Sequence, residues 1–210
     1  YEVAEKATSV AVVPYSGKWK DLGTWNSLTE ELSSNAIGNV ALGEQTENTH
    51  VVNELGMPIF CNGTKDIIVA SSPDGILVCG KEYSENIKNY VDNLSPRPMY
   101  EERRWGSYRV LDSTTYSDGC MSLTKVIQIK SGRYISYQIH NNREEVWTVV
   151  DGEGVVVLDG ERRNVSRGEV VVINQGQKHA IKATTDLQIV EVQMGSSLVE
   201  EDIERFEWEW

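Results

Sequence analysis

From residue 134 to residue 193 the chain is a succession of short apolar runs closed by tight turns. The runs are Tyr134-Ile-Ser-Tyr-Gln-Ile-His140, Val146-Trp-Thr-Val-Val150, Gly154-Val-Val-Val-Leu158, Glu169-Val-Val-Val-Ile173 and Leu187-Gln-Ile-Val-Glu-Val-Gln193. Asp151-Gly152 and Asp159-Gly160 lie between successive runs, where Asp-Gly pairs favour hairpin turns. β-branched residues dominate, and no run is long enough for a helix that would bury it. Many short strands with glycine turns specify an antiparallel jelly-roll barrel. The acidic segment Glu200-Glu-Asp-Ile-Glu-Arg-Phe206 is expected to cap it.

Set into these runs is a pattern of metal-ligating side chains. It reads Gly132-x5-Gln138-x-His140-x4-Glu145-x6-Gly152, followed by His179 in Gly168-Glu-Val-Val-Val-Ile-Asn-Gln-Gly176-Gln-Lys-His179. Gln138 and His140 are two apart, so on a strand they project from one face. Glu145 follows at a distance that an adjacent strand can bring round. Two of the three histidines of the chain fall in the pattern. The spacing resembles the two motifs of the cupin barrels, with Gln138 where many cupins carry a first His and Asn174 where they carry Pro. Two neutral imidazoles, an amide oxygen and a carboxylate suit a divalent first-row metal, zinc first among them. Such a set leaves the cation electropositive, a Lewis acid for carbonyl or hydroxyl oxygens that need not change oxidation state.

Composition narrows the function classes. A chain of 210 residues can bury a proper core in one or two domains. Its net charge of −12 argues against nucleic-acid or anionic-membrane partners. No stretch has the apolar length of a membrane span and no signal peptide opens the chain, so a cytoplasmic location is expected. Cys61, Cys79 and Cys120 are odd in number and widely spaced, without any CxxC pairing, and read as reduced thiols. The chain opens at Tyr1 without Met, inside a strand-forming run, which leads us to expect a fragment of a longer protein.

Upstream of the barrel the texture differs. Ser9-Val-Ala-Val-Val-Pro14 reads as a short strand, and Trp25-Asn-Ser-Leu-Thr-Glu-Glu-Leu32 as a helix with Asn26 or Ser27 near its N-cap. Asp21, beside Gly23, reads as a turn residue. Between Gly38 and Cys79 five short apolar pieces alternate with polar gaps, suggesting stacked parallel strands as in β-helices, or a small antiparallel sheet. His50 lies in one of these pieces and reads as structural. Glu82 to Leu94 carries apolar residues at helical spacing, and Pro96-Arg-Pro98 ends it as a linker.

These residues resemble a known family. Arg103-Arg-Trp105-Gly106-Ser-Tyr108, Lys125, Gly132, Ser136-Tyr-Gln138-Ile-His140, Arg143-Glu-Glu145-Val-Trp147, Val149-Val-Asp-Gly152, His179, Ile189-Val-Glu-Val-Gln193 and Glu201-Asp-Ile-Glu-Arg-Phe206 are similar to type II phosphomannose isomerase. That domain is the C-terminal half of bifunctional mannose-1-phosphate guanylyltransferase/mannose-6-phosphate isomerase. Glu5-Lys6 and Trp19-Lys-Asp21-Leu-Gly23-Thr-Trp25 resemble the closing segment of the sugar nucleotidyltransferase domain, and residues 38–80 resemble the left-handed β-helix joining the halves. The family's signatures depart here at Arg104, Asn142, Glu144 and Val146; Arg104 stands in place of Pro, and Asn142 and Val146 in place of His.

The resemblance implies a mainly β chain with three parts: 1–34 the end of an α/β nucleotidyltransferase domain, 35–97 a β-helix-like segment with a helix and linker, and 98–210 a cupin isomerase. It implies a metal-dependent aldose–ketose isomerase for mannose 6-phosphate and fructose 6-phosphate, its metal held by Gln138, His140, Glu145 and His179. A sugar phosphate is the expected partner, and a homo-oligomer is compatible with the family. Glu144 and Lys125 are the two candidates for the base that moves the carbon-bound proton. Arg143 and Lys125 are the candidates for holding the phosphate. Trp147 and Trp105 are expected to be core aromatics. Asp21 matches a magnesium-holding position of the nucleotidyltransferases, but the Gly-rich nucleotide loop is absent, so no guanylyltransferase activity is expected of this chain. Three other readings remain open: a different cupin enzyme such as a metal dioxygenase or another sugar isomerase, a non-catalytic cupin that binds metal or sugar phosphate or only stabilises an assembly with the transferase half, and a fragment of a protein that is mainly a mannose-1-phosphate guanylyltransferase with a vestigial cupin.

Overall fold

The computed structural model describes residues 6–91, 94 and 97–210. The backbone divides into two compact units, one of residues 1–53, 58–70 and 77–90, the other of residues 54–57, 71–76 and 91–210. Pro96 of the expected linker lies outside the described residues, as do positions 92 and 93 of the expected helix.

In the first unit the described residues before Trp25 form no regular element. The strand expected over Ser9–Pro14 is absent: Val12 and Val13 are 85% and 86% exposed. β-branched residues favour a strand only where a neighbour completes the ladder, and none does so here. Helix α1 (Trp25–Thr29) starts one residue before the expected caps. Thr24 is its N-cap: Oγ1 accepts the Ser27 N–H at 3.1 Å and the Ser27 hydroxyl oxygen accepts the Thr24 N–H at 3.3 Å, a reciprocal box that fixes the entry. The helix stops at Thr29, and Glu30 and Glu31 both reach Lys20 Nζ at 2.8 Å. Asp21 is the turn residue expected, its Oδ1 accepting the Gly23 N–H at 2.8 Å.

Strands β1 (Ala36–Ile37), β2 (Val40–Leu42), β3 (His50–Asn53), β4 (Ile59–Cys61), β5 (Ile67–Ser72) and β6 (Gly75–Gly80) follow. β1 pairs with β3 and β2 with β4, both in parallel. The corners stack as well. Asn48 and Asp66 both take positive φ, 44° and 52°, a conformation their short polar side chains tolerate, and Asn48 Nδ2 donates to Asp66 Oδ1 at 2.6 Å. A 3-10 helix (Lys81–Asn86) and α2 (Lys88–Val91) replace the single longer helix expected over this stretch.

The second unit is built from β7 (Tyr100–Arg103), β8 (Gly106–Thr115), β9 (Met121–Ile129), β10 (Tyr134–Ile139), β11 (Arg143–Asp151), β12 (Glu153–Leu158), β13 (Glu161–Ser166), β14 (Val170–Ile173), β15 (His179–Ala183), β16 (Leu187–Gly195) and β17 (Glu204–Phe206). They form two antiparallel sheets, ordered β14-β11-β16-β9-β8-β7 and β13-β12-β15-β10-β17. Leu123, Ile127, Trp147, Val149 and Ile189 of the first sheet and Val156, Val165 and Ile181 of the second share one buried core. Burial alternates residue by residue along β11 and β16, as the pleat requires. The expected acidic cap is present as β17, which adds to the sheet edge through Tyr137↔Phe206 and Ile139↔Glu204.

The turn between β11 and β12 rests on one glycine. Gly152 has φ +80, and a Cβ there would lie 2.0 Å from the Asp186 carbonyl oxygen. Gly152→Ala is expected to destabilise the fold by about 2 kcal/mol or more, lowering Tm by roughly 5 °C in a thermal melt.

Candidate metal centre

β10, β11 and β15 bring four side chains to one buried place. Gln138 lies on β10 and pairs in register with His179, the first residue of β15. His140 follows directly after β10, and Glu145 points inward from β11. All four are buried, His179 completely. One ligand atom from each of His140, Glu145 and His179 lies within 4.8 Å of the other two.

Hydrogen bonding dictates which ring atoms face the cluster. His140 Nδ1 lies against the Asp202 carbonyl and His179 Nδ1 lies 2.9 Å from the Gln177 carbonyl. A carbonyl only accepts, so each Nδ1 carries the proton and each Nε2 is left unprotonated with a lone pair; that of His140 also faces an Arg143 N–H at 3.3 Å. Those lone pairs face Glu145: His140 Nε2 is 3.2 Å from Oε1 and His179 Nε2 is 3.7 Å from Oε2. Such facing acceptors call for a cation between them. A proton is disfavoured there, because burial, with the Arg143 charge second, pushes His140 down to about 4, and burial lowers His179 too. His179 Nε2 is buried without a hydrogen-bond partner. The residues present therefore fit a divalent metal with two imidazole nitrogens and a carboxylate. Gln138 turns its Nε2 to His140 at 3.3 Å and its Oε1 to the Ser136 hydroxyl at 2.8 Å. Exchanging O and N of this amide would aim the oxygen at the cluster and let the amide donate to Ser136.

Around Glu145 runs a second layer. Arg143 Nε and Gln193 Nε2 each donate to its Oε1 at 3.0 Å, and Trp147 Nε1 donates to its Oε2 at 3.2 Å. The same Trp147 and Gln193 groups also donate to Glu191, both at 3.0 Å. Burial and the nearby Glu145 charge raise the Glu191 carboxyl above its ordinary value. These two donors thus hold a pair of carboxylates in fixed positions.

Beside the cluster opens a cavity of about 180 Å³ lined by Gln138, Arg143, Glu145, Lys125, Glu200 and Trp105 among others. Of the residues singled out in the sequence, Gln138, His140, Glu145, His179, Arg143 and Lys125 are brought together and Glu144 is not. Glu144 adjoins Glu145 on β11, so it projects from the opposite face, where it is exposed and lines a different depression with Cys120 and Met194. It is absent from the cavity lining, so its placement does not support the role of base there. Arg143 is buried, with three of its N–H groups directed to Glu145, His140 and the Val199 carbonyl. Lys125 Nζ is paired with Glu200 Oε1 at 2.7 Å and lies over the Tyr108 ring. Trp147 is a core aromatic, 1% exposed, whereas Trp105 is half-buried at the cavity wall.

Three contributors carried no assignment in the sequence. Glu191 and Gln193 fall on the inward phase of β16, and Glu200 belongs to the segment that crosses the barrel mouth. That segment is laced down by Asp202, whose carboxylate accepts the backbone N–H groups of Asn141 and Asn142 at 3.0 Å. Although burial opposes it, Lys125 holds the Glu200 carboxyl below its ordinary value.

The neutral state of His140 has a measurable consequence. An ordinary imidazole would lose about tenfold in metal affinity between about pH 7.5 and about pH 5.5 through proton competition. With His140 protonating only near 4, its contribution to that loss is expected to be less than about twofold. Zinc competition titrations at the two pH values check this.

The family model for mannose-6-phosphate isomerase C-terminal matches residues 96–208. Mannose-1-phosphate guanylyltransferase of Escherichia coli strain K12 is 32% identical over 98% of this chain and 45% of its own length. The alginate biosynthesis protein AlgA of Pseudomonas aeruginosa is 32% identical over 99% of the chain and 44% of its own length. The chain thus spans less than half of each of these relatives. Among solved structures, the capsular polysaccharide assembling protein CapF of Staphylococcus aureus aligns with 56% of the chain and 34% of its own, at TM-score 0.44 and 21% identity. An RmlC-like cupin from Shewanella frigidimarina aligns with 51% of the chain and 84% of its own, at TM-score 0.39 and 15% identity. With its family model covering the entire two-sheet barrel, the chain belongs to the mannose-6-phosphate isomerase C-terminal family.

Proposed function

We propose that this chain is a metal-dependent isomerase interconverting mannose 6-phosphate and fructose 6-phosphate. The observation that carries the reading is the pair of unprotonated imidazole Nε2 atoms converging on Glu145, which itself lines the cavity. Zinc is the metal proposed, held by His140, Glu145 and His179 with the oxygen of Gln138. When bound, it supplies Lewis-acid stabilisation of negative charge on the substrate's C1 and C2 oxygens.

The protein's own groups do the rest. Arg143, Trp147 and Gln193 keep Glu145 aimed at the cluster. Aldose–ketose exchange moves one proton between C2 and C1 through an enediol. With Glu144 on the outer face, the ion pair of Lys125 and Glu200, which lines the cavity together with Glu191, is the proton-transfer group proposed. Glu200 is the half-exposed partner, at 38% against 5% for Lys125, and is the one that a substrate would meet. Trp105 and the buried Trp147 exclude water from one wall.

The positions that depart from the family's signatures bear on activity. Asn142 directs its amide to Asp202 at 3.2 Å and lines the outer depression, and neither it nor Val146 lines the cavity. Both substituted positions lie outside the cavity lining, which favours a catalytic domain over the alternative of a non-catalytic sugar-phosphate module. The parent is proposed to be a longer cytoplasmic protein of GDP-mannose synthesis that also carries guanylyltransferase activity. On this view residues 1–34 are the end of its nucleotidyltransferase domain, residues 35–97, with the parallel pairs β1–β3 and β2–β4, hold a short left-handed β-helix, and residues 98–210 are the cupin. Nucleic acids and membranes have no part in this reading.

A coupled assay of mannose 6-phosphate isomerisation, with and without added zinc, tests the proposal. Zinc-dependent turnover is the expected result. Binding of fructose 6-phosphate in a thermal-shift titration with no turnover in any metal would favour the non-catalytic module instead.

A further inference from the structure

We infer that Arg205 forms the phosphate subsite of the cavity and makes the site select phosphorylated over free sugars. This rests on the sugar-phosphate reading above and deepens it.

Four cationic side chains line the cavity: Arg103, Lys125, Arg143 and Arg205. In a chain of net charge −12, any cation free to meet a phosphate dianion is a local exception. Three of the four are already committed. Arg103 is paired with Glu101 at 2.6 Å. Lys125 is paired with Glu200 at 2.7 Å. Arg143 is buried and spends its N–H groups on Glu145, His140 and Val199. For any of them, binding phosphate means breaking an internal pair first. Arg205 is exposed and has no carboxylate within ion-pair distance among the described residues.

Its position is fixed by the strand that carries it. In β17, Arg205 is the register partner of Gln138, so the two side chains stand on the same face of the sheet. Its neighbour Phe206 turns to the other face, where it packs edge-on against Tyr137 at 6.3 Å, and Trp208 stacks on the same ring at 4.8 Å. Those contacts anchor the strand from outside and leave the guanidinium over the cavity, next to the ligand cluster. A planar fork so placed can take two phosphate oxygens at once while C1 and C2 lie at the cluster.

The test compares wild type, Arg205→Ala and Arg205→Lys, all loaded with zinc. In the isomerase assay, Arg205→Ala should raise KM for mannose 6-phosphate roughly 10- to 100-fold and leave kcat nearly unchanged, with Arg205→Lys intermediate. Calorimetric titration with fructose 6-phosphate and with free fructose gives a second readout that needs no turnover. There, the wild type should prefer the phosphorylated sugar, and Arg205→Ala should erase that preference while its melting curve stays unchanged. A wild type that binds fructose 6-phosphate through Arg205 but never isomerises it would keep this subsite and overturn the isomerase reading. A KM and a titration both within about twofold of wild type in Arg205→Ala, or a wild type with no preference for phosphate, would overturn the subsite itself.

Discussion

His140→Ala is expected to empty the metal centre and reduce isomerisation by about a thousandfold or more. The substitution removes one of two imidazole donors whose Nε2 points at Glu145. Loss of a supporting hydrogen bond alone typically weakens metal binding 10–100-fold, so loss of a ligand should exceed about 100-fold. The metal's stabilisation of charge is worth several kcal/mol of barrier, which converts to about three orders of magnitude in rate. Removing the imidazole also leaves the Asp202 carbonyl unpaired and opens a small cavity at a fully buried position, at a cost on the order of 2 kcal/mol. Elemental analysis after dialysis, a coupled assay and a melting curve separate the three effects. A variant that keeps one metal per chain and most of its rate would mean that the centre lies elsewhere.

Glu200→Gln should leave metal content intact yet lower kcat by about 10²–10⁴, the usual yield of a positioned proton-transfer group. Glutamine keeps the shape and an acceptor oxygen for Lys125 Nζ, so the fold should tolerate it better than alanine. It still leaves a buried cation without its counter-ion, and a modest fall in Tm is expected. Lys125→Met provides the complementary case, removing the cation and freeing the carboxylate. If the pair acts as one unit, the double variant should be little worse than the more damaging single one. A kcat for Glu200→Gln within about twofold of wild type would remove the pair from the chemistry.

The convergence of Gln138, His140, Glu145 and His179 was legible because each obeys a local rule. Gln138 and His140 share a face by strand alternation, and His179 opens a later strand that pairs with the first. The same alternation also rules out Glu144, since adjacent residues of a strand cannot both face inward; the residue type had suggested a base that the period forbids. Glu191 and Gln193 were visible by the same logic, as polar residues in phase with Leu187 and Ile189 on β16. Glu200, Asp202 and Arg205 were not. They come to the site from an irregular segment and a three-residue strand about sixty positions along from His140, and no periodicity marks such a meeting. Ser9–Pro14 failed for the converse reason, having strand propensity without a neighbouring strand.

The clasp of β17 on β10 also sets an order of assembly. On a ribosome, the ligands from Gln138 to His179 emerge well before residues 200–206, and the strands that carry them can pair in the meantime. A nascent barrel could therefore capture its cation while still lacking both Glu200 and the carbonyl of Asp202 that orients His140. If the proposed isomerase function holds, competence for chemistry arrives last, with the closing strand.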